Sequence, residues 1–337
     1  MKIIIYVWLK VLGYNDCEDT DMSKTRQKII IDTDCGSDDA MAIAMALNDE
    51  DHEILMISTV TGNVRLHQAT LNVLTTLKVT DSYHPDVYEG AEEMLVRDWV
   101  GAQDVHGNDG MGDLDLVDYS LKANDGNAVM KMLETLKNNE EGTVDIITLG
   151  PLTNIALAIR LDPDTMNRAR RIVMMGSAGL GRGNVTPVAE FNIWQDPEAC
   201  KIVLESEIRE KIFVGWDACL DEAMLNSEEI DEIRNSSELG RFCIDSNMIL
   251  IRMNEDRFGE QCLDMADPAA MAAALCPECI EECDEYYCEV DVSRGPSYGA
   301  LLVDSYRFSG KKPNAFIVSK LKPDVFKQYV FKTLKVR

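Results

Sequence analysis

Short runs of β-branched and aliphatic residues alternate along this chain with longer stretches whose apolar positions recur every three or four residues. The short runs predict strands at 28–32, 53–60, 144–149, 171–175 and 211–215. The longer stretches predict helices at 38–47, 65–77, 127–137, 151–161 and 197–205. Strands separated by helices pair side by side through crossovers, so the pattern reads as α/β: an open, mostly parallel, Rossmann-like sheet flanked by helices. Pro151 suits a first helical turn, where its missing N–H costs nothing. A further helix begins near Pro268, just after Asp267. Strands with turns at Gly295–Pro296 and Gly310 fill 286–318, and a closing helix spans 323–334. With no internal repeat, low-complexity linker or compositional break, residues 28–337 read as one domain behind an N-terminal extension, residues 1–27.

The residues able to do chemistry fall just after the predicted strands. "DTDCGSDD" follows the first, "TGN" the second, "GPLTN" the third and "MGSAGLGRGN" the fourth. In open α/β sheets the ligand crevice lies beyond the carboxyl ends of the strands, so these segments are expected to converge on one rim. The first is the most informative. Asp32, Asp34, Asp38 and Asp39 stand within eight residues, between an apolar strand and a helix. Carboxylates this close raise one another's pKa unless a cation holds them, and a hard oxygen-seeking ion such as Ca²⁺ or Mg²⁺ is the simplest explanation. A helix N-terminus accounts for Asp38 or Asp39 but not for all four.

Composition narrows the partners. The 337 residues are 46% hydrophobic and carry a formal net charge of −26. Such a surface repels nucleic-acid phosphate and anionic lipid, and basic residues gather only near the C-terminus, so neither nucleic acid nor membrane is expected as a partner. Ten cysteines are too dispersed for a disulfide scaffold. Cys276, Cys279, Cys283 and Cys288 hint at zinc, but "CDEYYCEVDV" reads as one strand. A separation of five on a strand sends the last two thiols to opposite faces. The opening "MKIIIYVWLKVLG" resembles a secretory signal, yet Lys10 interrupts it and no clean cleavage site follows. Met22 stands just ahead of the first strand. A cytoplasmic location is expected, with secretion the alternative if residues 1–21 act as a signal.

"DTDCGSDDA", "TVTGN", "LGPLTNIALAIRLDP", "VAEFN" with "DPEA", and "ADPAA" together resemble the nucleoside hydrolase family, from about Lys28 to beyond Val318. The resemblance implies the nucleoside hydrolase fold. It also implies hydrolysis of the N-glycosidic bond of ribonucleosides to base and ribose. By that resemblance Asp34, Asp39 and Asp267 are Ca²⁺ carboxylates and the carbonyl of Leu149 a main-chain ligand. A water and the ribose 2′- and 3′-hydroxyls complete the coordination. Asp38 corresponds to the general base that takes a proton from the bound water. Asn63, Asn184, Glu190 and Asn192 match ribose-contacting groups, and Met175 a methionine near the sugar. His106, in "DVHGNDGMG", matches a base-proximal loop, whereas His52, His67 and His84 read as structural.

The family also implies a homodimer or homotetramer acting on small-molecule ribonucleosides. Asp32 reads either as orienting ligands from behind or as a strand-end acid on backbone N–H groups. Cys35 replaces the proline common in this motif and reads as a packed residue or a reactive thiol. The base pocket is expected from 102–112 and 245–264, with Asn247, Arg252, Asn254 and Arg257 as open candidates.

One departure stands out. Ala266, before Asp267, occupies the place where one subgroup has a histidine associated with leaving-group activation and another a tryptophan. A catalytically impaired nucleoside-binding protein on the same fold is therefore the alternative. A phosphotransferase using the Asp32-x-Asp34 pair leaves Asp38–Asp39, "VAEFN" and Asp267 unexplained. An EF-hand fails for want of a glutamate at the twelfth loop position.

Overall fold

Ile29, Ile30 and Ile31 are fully buried, as befits a parallel strand covered on both faces. In the computed structural model, which describes residues 26–335, they form the centre of β1 (Gln27–Thr33). The signal-like run, Met22 and most of the N-terminal extension lie outside the described residues; Gln27 already belongs to the fold. The strands that follow are β2 (His52–Thr59), β3 (Asp86–Glu89), β4 (Val144–Thr148), β5 (Arg171–Met175) and β6 (Lys211–Val214). After them come β7 (Leu225–Asn226), β8 (Cys262–Leu263), β9 (Ile280–Tyr286), β10 (Cys288–Val290), β11 (Leu301–Val303) and β12 (Ala315–Leu321).

Eight strands make the central sheet, in the order β3-β2-β1-β4-β5-β6-β12-β9, and only β9 runs antiparallel to its neighbour. The chain winds outward from β1 to β3, then returns to β4 and winds the other way. The carboxyl ends of β1 and β4 therefore flank the switch point where a doubly wound sheet opens its crevice. Asp32 pairs with Thr148 there, so Asp34 and Leu149 leave the sheet side by side.

Two helices with unusually small side chains set the depth of the site. Ser37–Asn48 (SDDAMAIAMALN) and Ala266–Leu275 (ADPAAMAAAL) pack against each other and are buried almost all round. A helix with no polar face needs cover on every side, and alanines allow the close approach that provides it. The contact brings the two N-terminal turns together, and with them Asp38, Asp39 and Asp267.

Three expectations are corrected. The helix after β4 is Thr153–Leu161 with Leu152 as its cap, so Pro151 lies outside it. The chain first turns at Gly150, where an added Cβ would collide with Asp34. Cys283 and Cys288 do not share a strand: they lie in β9 and β10, in separate sheets, with the break at Tyr287. The helices Ser227–Ser236, Glu238–Ser246 and Met248–Phe258 were not expected; the last brings Leu250, Met253 and Arg257 to the site.

Candidate active site

The floor of the site is a knot of buried carboxylates. Asp39 accepts from Thr33 Oγ1 at 2.5 Å, the Gly36 amide at 2.8 Å and Asn63 Nδ2 at 3.2 Å. Asp34 accepts from the Asn63 amide at 2.6 Å, between Gly62 and Gly150, where a Cβ on either glycine would strike its carboxylate. The carboxyl groups of Asp39 and Asp267 are in hydrogen-bond contact with each other. Two carboxylates in contact need a shared proton or a cation between them.

Burial, and then neighbouring negative charge, pushes Asp39 up to about 7, and Asp34 and Asp267 well above the usual carboxylate range. Asp34 Oδ1 and Asp38 Oδ1 are buried with no hydrogen-bond partner. Oxygen atoms of Asp38, Asp39 and Asp267 can lie within 4.8 Å of one another. An all-oxygen set with orphaned lone pairs fits a hard divalent cation.

Asp32 differs from both readings of it. It accepts from Ser58 Oγ and, at 2.8 Å, from Asn154 Nδ2, neither a backbone N–H nor a site carboxylate. It pins β1 to β2 and to the helix Thr153–Leu161, and burial pushes it up to about 7. Cys35 is fully buried, and burial beside Asp39 and Asp34 pushes its thiol well up, which is the packed and not the reactive reading.

Above the floor lies a cavity of about 220 Å³. Asp38, Asn63, Leu149, Met175, Asn184, Glu190, Asn192, His106 and Asp267 all line it, so the expected site residues converge; Asp34 and Asp39 lie beneath. Asn192 Nδ2 donates to the Leu149 carbonyl at 2.6 Å and reaches the Met175 carbonyl and Sδ at 3.3 Å. Glu190 caps the short helix Phe191–Gln195, accepting from the amides of Asn192 (2.8 Å), Ser177 (3.0 Å) and Ile193 (3.3 Å). Burial nonetheless pushes it up to about 7. Asn184 stands exposed at the lip and accepts from the Phe191 amide at 2.9 Å.

The opposite end is built from other material. His106 ends a one-turn helix, Gln103–His106, and is 6% exposed. Its Nδ1 lies 2.8 Å from Ser37 Oγ and 3.7 Å from Asp38 Oδ1. Burial pushes the imidazole below its usual value, against the pull of Asp38 and Asp264. Asn247 supports it from behind: its Nδ2 donates to the Ser37 and Cys243 carbonyls at 3.0 and 2.8 Å, leaving Oδ1 to accept from Ser37 Oγ at 2.8 Å.

Of the open base-pocket candidates only Arg257 lines the cavity. Asn247 and Asn254 act through neighbours, and Arg252 is exposed. Trp216, Leu250, Met253 and Asp264 complete this end and were not singled out from the sequence. A tryptophan just past a strand reads as core, and one acid among many carries no signal of its own.

Solved structures with this architecture are nucleoside hydrolases. A plant nucleoside hydrolase, PpNRh1, superposes with a TM-score of 0.86 at 26% identity, covering 93% of this chain and all of that one. The purine-preferring ribonucleoside hydrolase from Gardnerella vaginalis superposes with 0.83 at 27%, covering 91% and 98%. By sequence, pyrimidine-specific ribonucleoside hydrolase RihB of Escherichia coli is 31% identical over 306 residues, 89% of this chain and 95% of that protein. An uncharacterized Schizosaccharomyces pombe protein is 45% identical over 181 residues, 54% of this chain and 58% of that protein. Residues 29–328 match the inosine-uridine preferring nucleoside hydrolase family, and the chain belongs to it.

Proposed function

We propose that this protein hydrolyses free ribonucleosides to base and ribose, using Ca²⁺ held by Asp34, Asp39, Asp267 and the Leu149 carbonyl. The observation that carries the reading is the buried, orphaned all-oxygen floor beneath a cavity lined by Asn63, Glu190 and Asn192. A cation bound there supplies Lewis acidity, making a water more acidic and ordering the sugar hydroxyls. The protein's own residues do the rest. Asp38, whose side chain is 13% exposed at the cavity and whose Oδ1 makes no hydrogen bond, accepts the proton of the attacking water. Glu190, Asn192 and Asn63 hold the ribose, and Asn184 closes over its outer edge. Negative charge beneath the sugar stabilises the ribosyl cation that develops as the bond to the base breaks. His106 faces the departing base.

A second assignment of the base has its own support. Asp38, not Asp34, shares the close oxygen cluster with Asp39 and Asp267. Asp38 would then hold the ion and Asp34, with its buried Oδ1 unpaired, would take the proton. All nine described cysteines are free and eight are buried, which supports a reducing, cytoplasmic setting. No helix among the described residues is long and apolar enough to cross a membrane.

The test is ribose release from inosine, guanosine, adenosine, uridine and cytidine. Activity abolished by a chelator and restored by Ca²⁺ is the expected result. No release from any nucleoside, with nucleoside binding intact, would establish the binding-protein alternative.

A further inference from the structure

The relatives disagree about the base, one being named pyrimidine-specific and another purine-preferring, so the preference has to be read from this chain's own pocket. At its base end one group has no counterpart in the floor. Asp264, between β8 and the helix Ala266–Leu275, is 6% exposed and lines the cavity. Trp216 Nε1 donates to its Oδ2 at 3.0 Å and Asn254 Nδ2 to its Oδ1 at 2.6 Å. Both donors are buried. The Asn254 amide also reaches the Cys262 carbonyl at 3.3 Å, so its nitrogen is committed to two acceptors.

The carboxylate is therefore held in a fixed plane by one bond on each oxygen. A carboxylate has about four acceptor positions, so each oxygen keeps one unspent. Among the described residues no Lys, Arg or His makes an ion pair with it. Ala266 adds only a methyl group beside it; Leu250 and Met253 supply apolar wall, and Arg257, His106 and Asp38 are among the charged or titratable groups that share the cavity with it.

Resting on the nucleoside hydrolase reading, we propose that Asp264 determines base specificity by selecting a nucleobase with two adjacent N–H donors, as guanine presents. Two parallel acceptors match N1–H and the 2-amino group of guanine as a bidentate, charge-assisted pair. Hypoxanthine offers one of the two donors. Adenine sets its N1 lone pair against the carboxylate, and uracil flanks its single N–H with two carbonyl oxygens. A buried acceptor left unpaired, or faced by another lone pair, discriminates more strongly than shape does.

The experiment compares kcat/KM for guanosine, inosine, adenosine and uridine in the wild type, Asp264→Ala and Asp264→Asn. Equilibrium binding of guanine and adenine is measured in parallel. The wild type is expected to order guanosine above inosine above adenosine. Asp264→Ala should lower guanosine by about 100-fold, since a bidentate contact to a base discriminates by roughly 5- to 150-fold, and leave adenosine within about threefold. Asp264→Asn, with one donor and one acceptor, should move the guanosine-to-adenosine ratio toward adenosine.

Equal losses on every nucleoside, an unchanged ratio in Asp264→Asn, or a wild type that favours adenosine or uridine would each overturn the proposal. Should Asp264→Ala fail to fold, the asparagine variant and the wild-type ranking still decide. Absence of all hydrolysis breaks the enzyme reading alone, because guanine-over-adenine binding that Asp264→Asn reverses would still support the selector.

Discussion

The two ends of the cavity are made differently. The floor comes from the carboxyl ends of β1, β2, β4 and β5 and from two helix N-termini packed through alanines. Its acids are buried and held by backbone amides and buried side chains, yet Asp34 Oδ1 and Asp38 Oδ1 are left without a hydrogen-bond partner. The base end comes from a one-turn helix, a segment past β6 and the helix Met248–Phe258, none of which the sheet dictates. Sheet topology thus fixes where the buried acids converge, while loop and helix insertions shape the opposite end of the cavity. Relatives named for different bases match this chain over most of its length, as expected when function is grafted onto a common scaffold.

The sharpest way to break this comparison is to strike the floor. Asp34→Asn and Asp38→Asn should each cost about 10³-fold or more in kcat, because loss of a general base costs about 10²–10⁴-fold and loss of an ion ligand removes a Lewis acid as well. They should differ in kind. The ion-ligand variant recovers part of its rate at high Ca²⁺, and the base variant does not. Calorimetric Ca²⁺ titration of both assigns the roles, and full activity in either variant removes that residue from the machinery.

Charge in the floor also sets a pH dependence. With no cation bound, burial holds Asp39 up to about 7, against 3.8 for an ordinary aspartate, and Asp34 and Asp267 shift the same way. Between those values the folded, cation-free protein binds more protons than the unfolded chain, so its stability falls as pH rises through about 7. Cation binding needs the carboxylates ionised and therefore strengthens over the same range. Chelation should leave the Tm nearly unchanged at pH 5. At pH 8 it should lower Tm by about 5 °C, from about 3 kcal/mol at hundredfold saturation in a chain of this size. A chelator effect that is larger at pH 5 contradicts the floor as described.

What was legible in the sequence follows the same division. Strand ends and helix starts alone pointed to the acidic run Asp32–Asp39; Asp267 and the Leu149 carbonyl entered only through the resemblance of their motifs to the family. Pro151 misled because the chain must first turn at Gly150 around Asp34 before the helix begins. Trp216 and Asp264 were not legible. Their meaning comes from the bond between them, and 48 positions of chain separate the partners. Asn247 and Asn254 were left open as base or loop contacts, since an amide can touch a ligand or hold the residue that does; here Asn247 holds Ser37 and Asn254 holds Asp264.

On the sugar wall the comparison predicts a smaller effect with two readouts. Glu190 already accepts from three backbone amides, so about one acceptor position remains for a ribose hydroxyl. Glu190→Gln turns an NH₂ toward at least one of those amides. It should cost about 1–3 kcal/mol of stability, the usual penalty for a buried donor left unpaired. KM should rise for every nucleoside alike, whatever its base. Urea unfolding reads the first effect and a panel of nucleosides the second; a base-dependent change in KM would move Glu190 out of the sugar wall.

The smallest expected effect lies where the two ends meet. The amide of Asn247 faces two carbonyls, so its oxygen takes the one proton of Ser37 Oγ, and Ser37 must accept from His106 Nδ1 at 2.8 Å. That bond puts the neutral ring's proton on Nδ1 and leaves Nε2 as an acceptor, against the Ser37 amide, which donates toward Nδ1 at 3.4 Å and favours the opposite tautomer. Ser37→Ala removes the relay without touching the cavity wall. It should release the ring to either tautomer and lower kcat by about threefold, the scale of one neutral hydrogen bond, with KM unchanged. The ¹⁵N shifts of His106 report the tautomer directly. A ring still fixed on Nδ1 in Ser37→Ala would show that Asp38, 3.7 Å away, and not the serine, orients it.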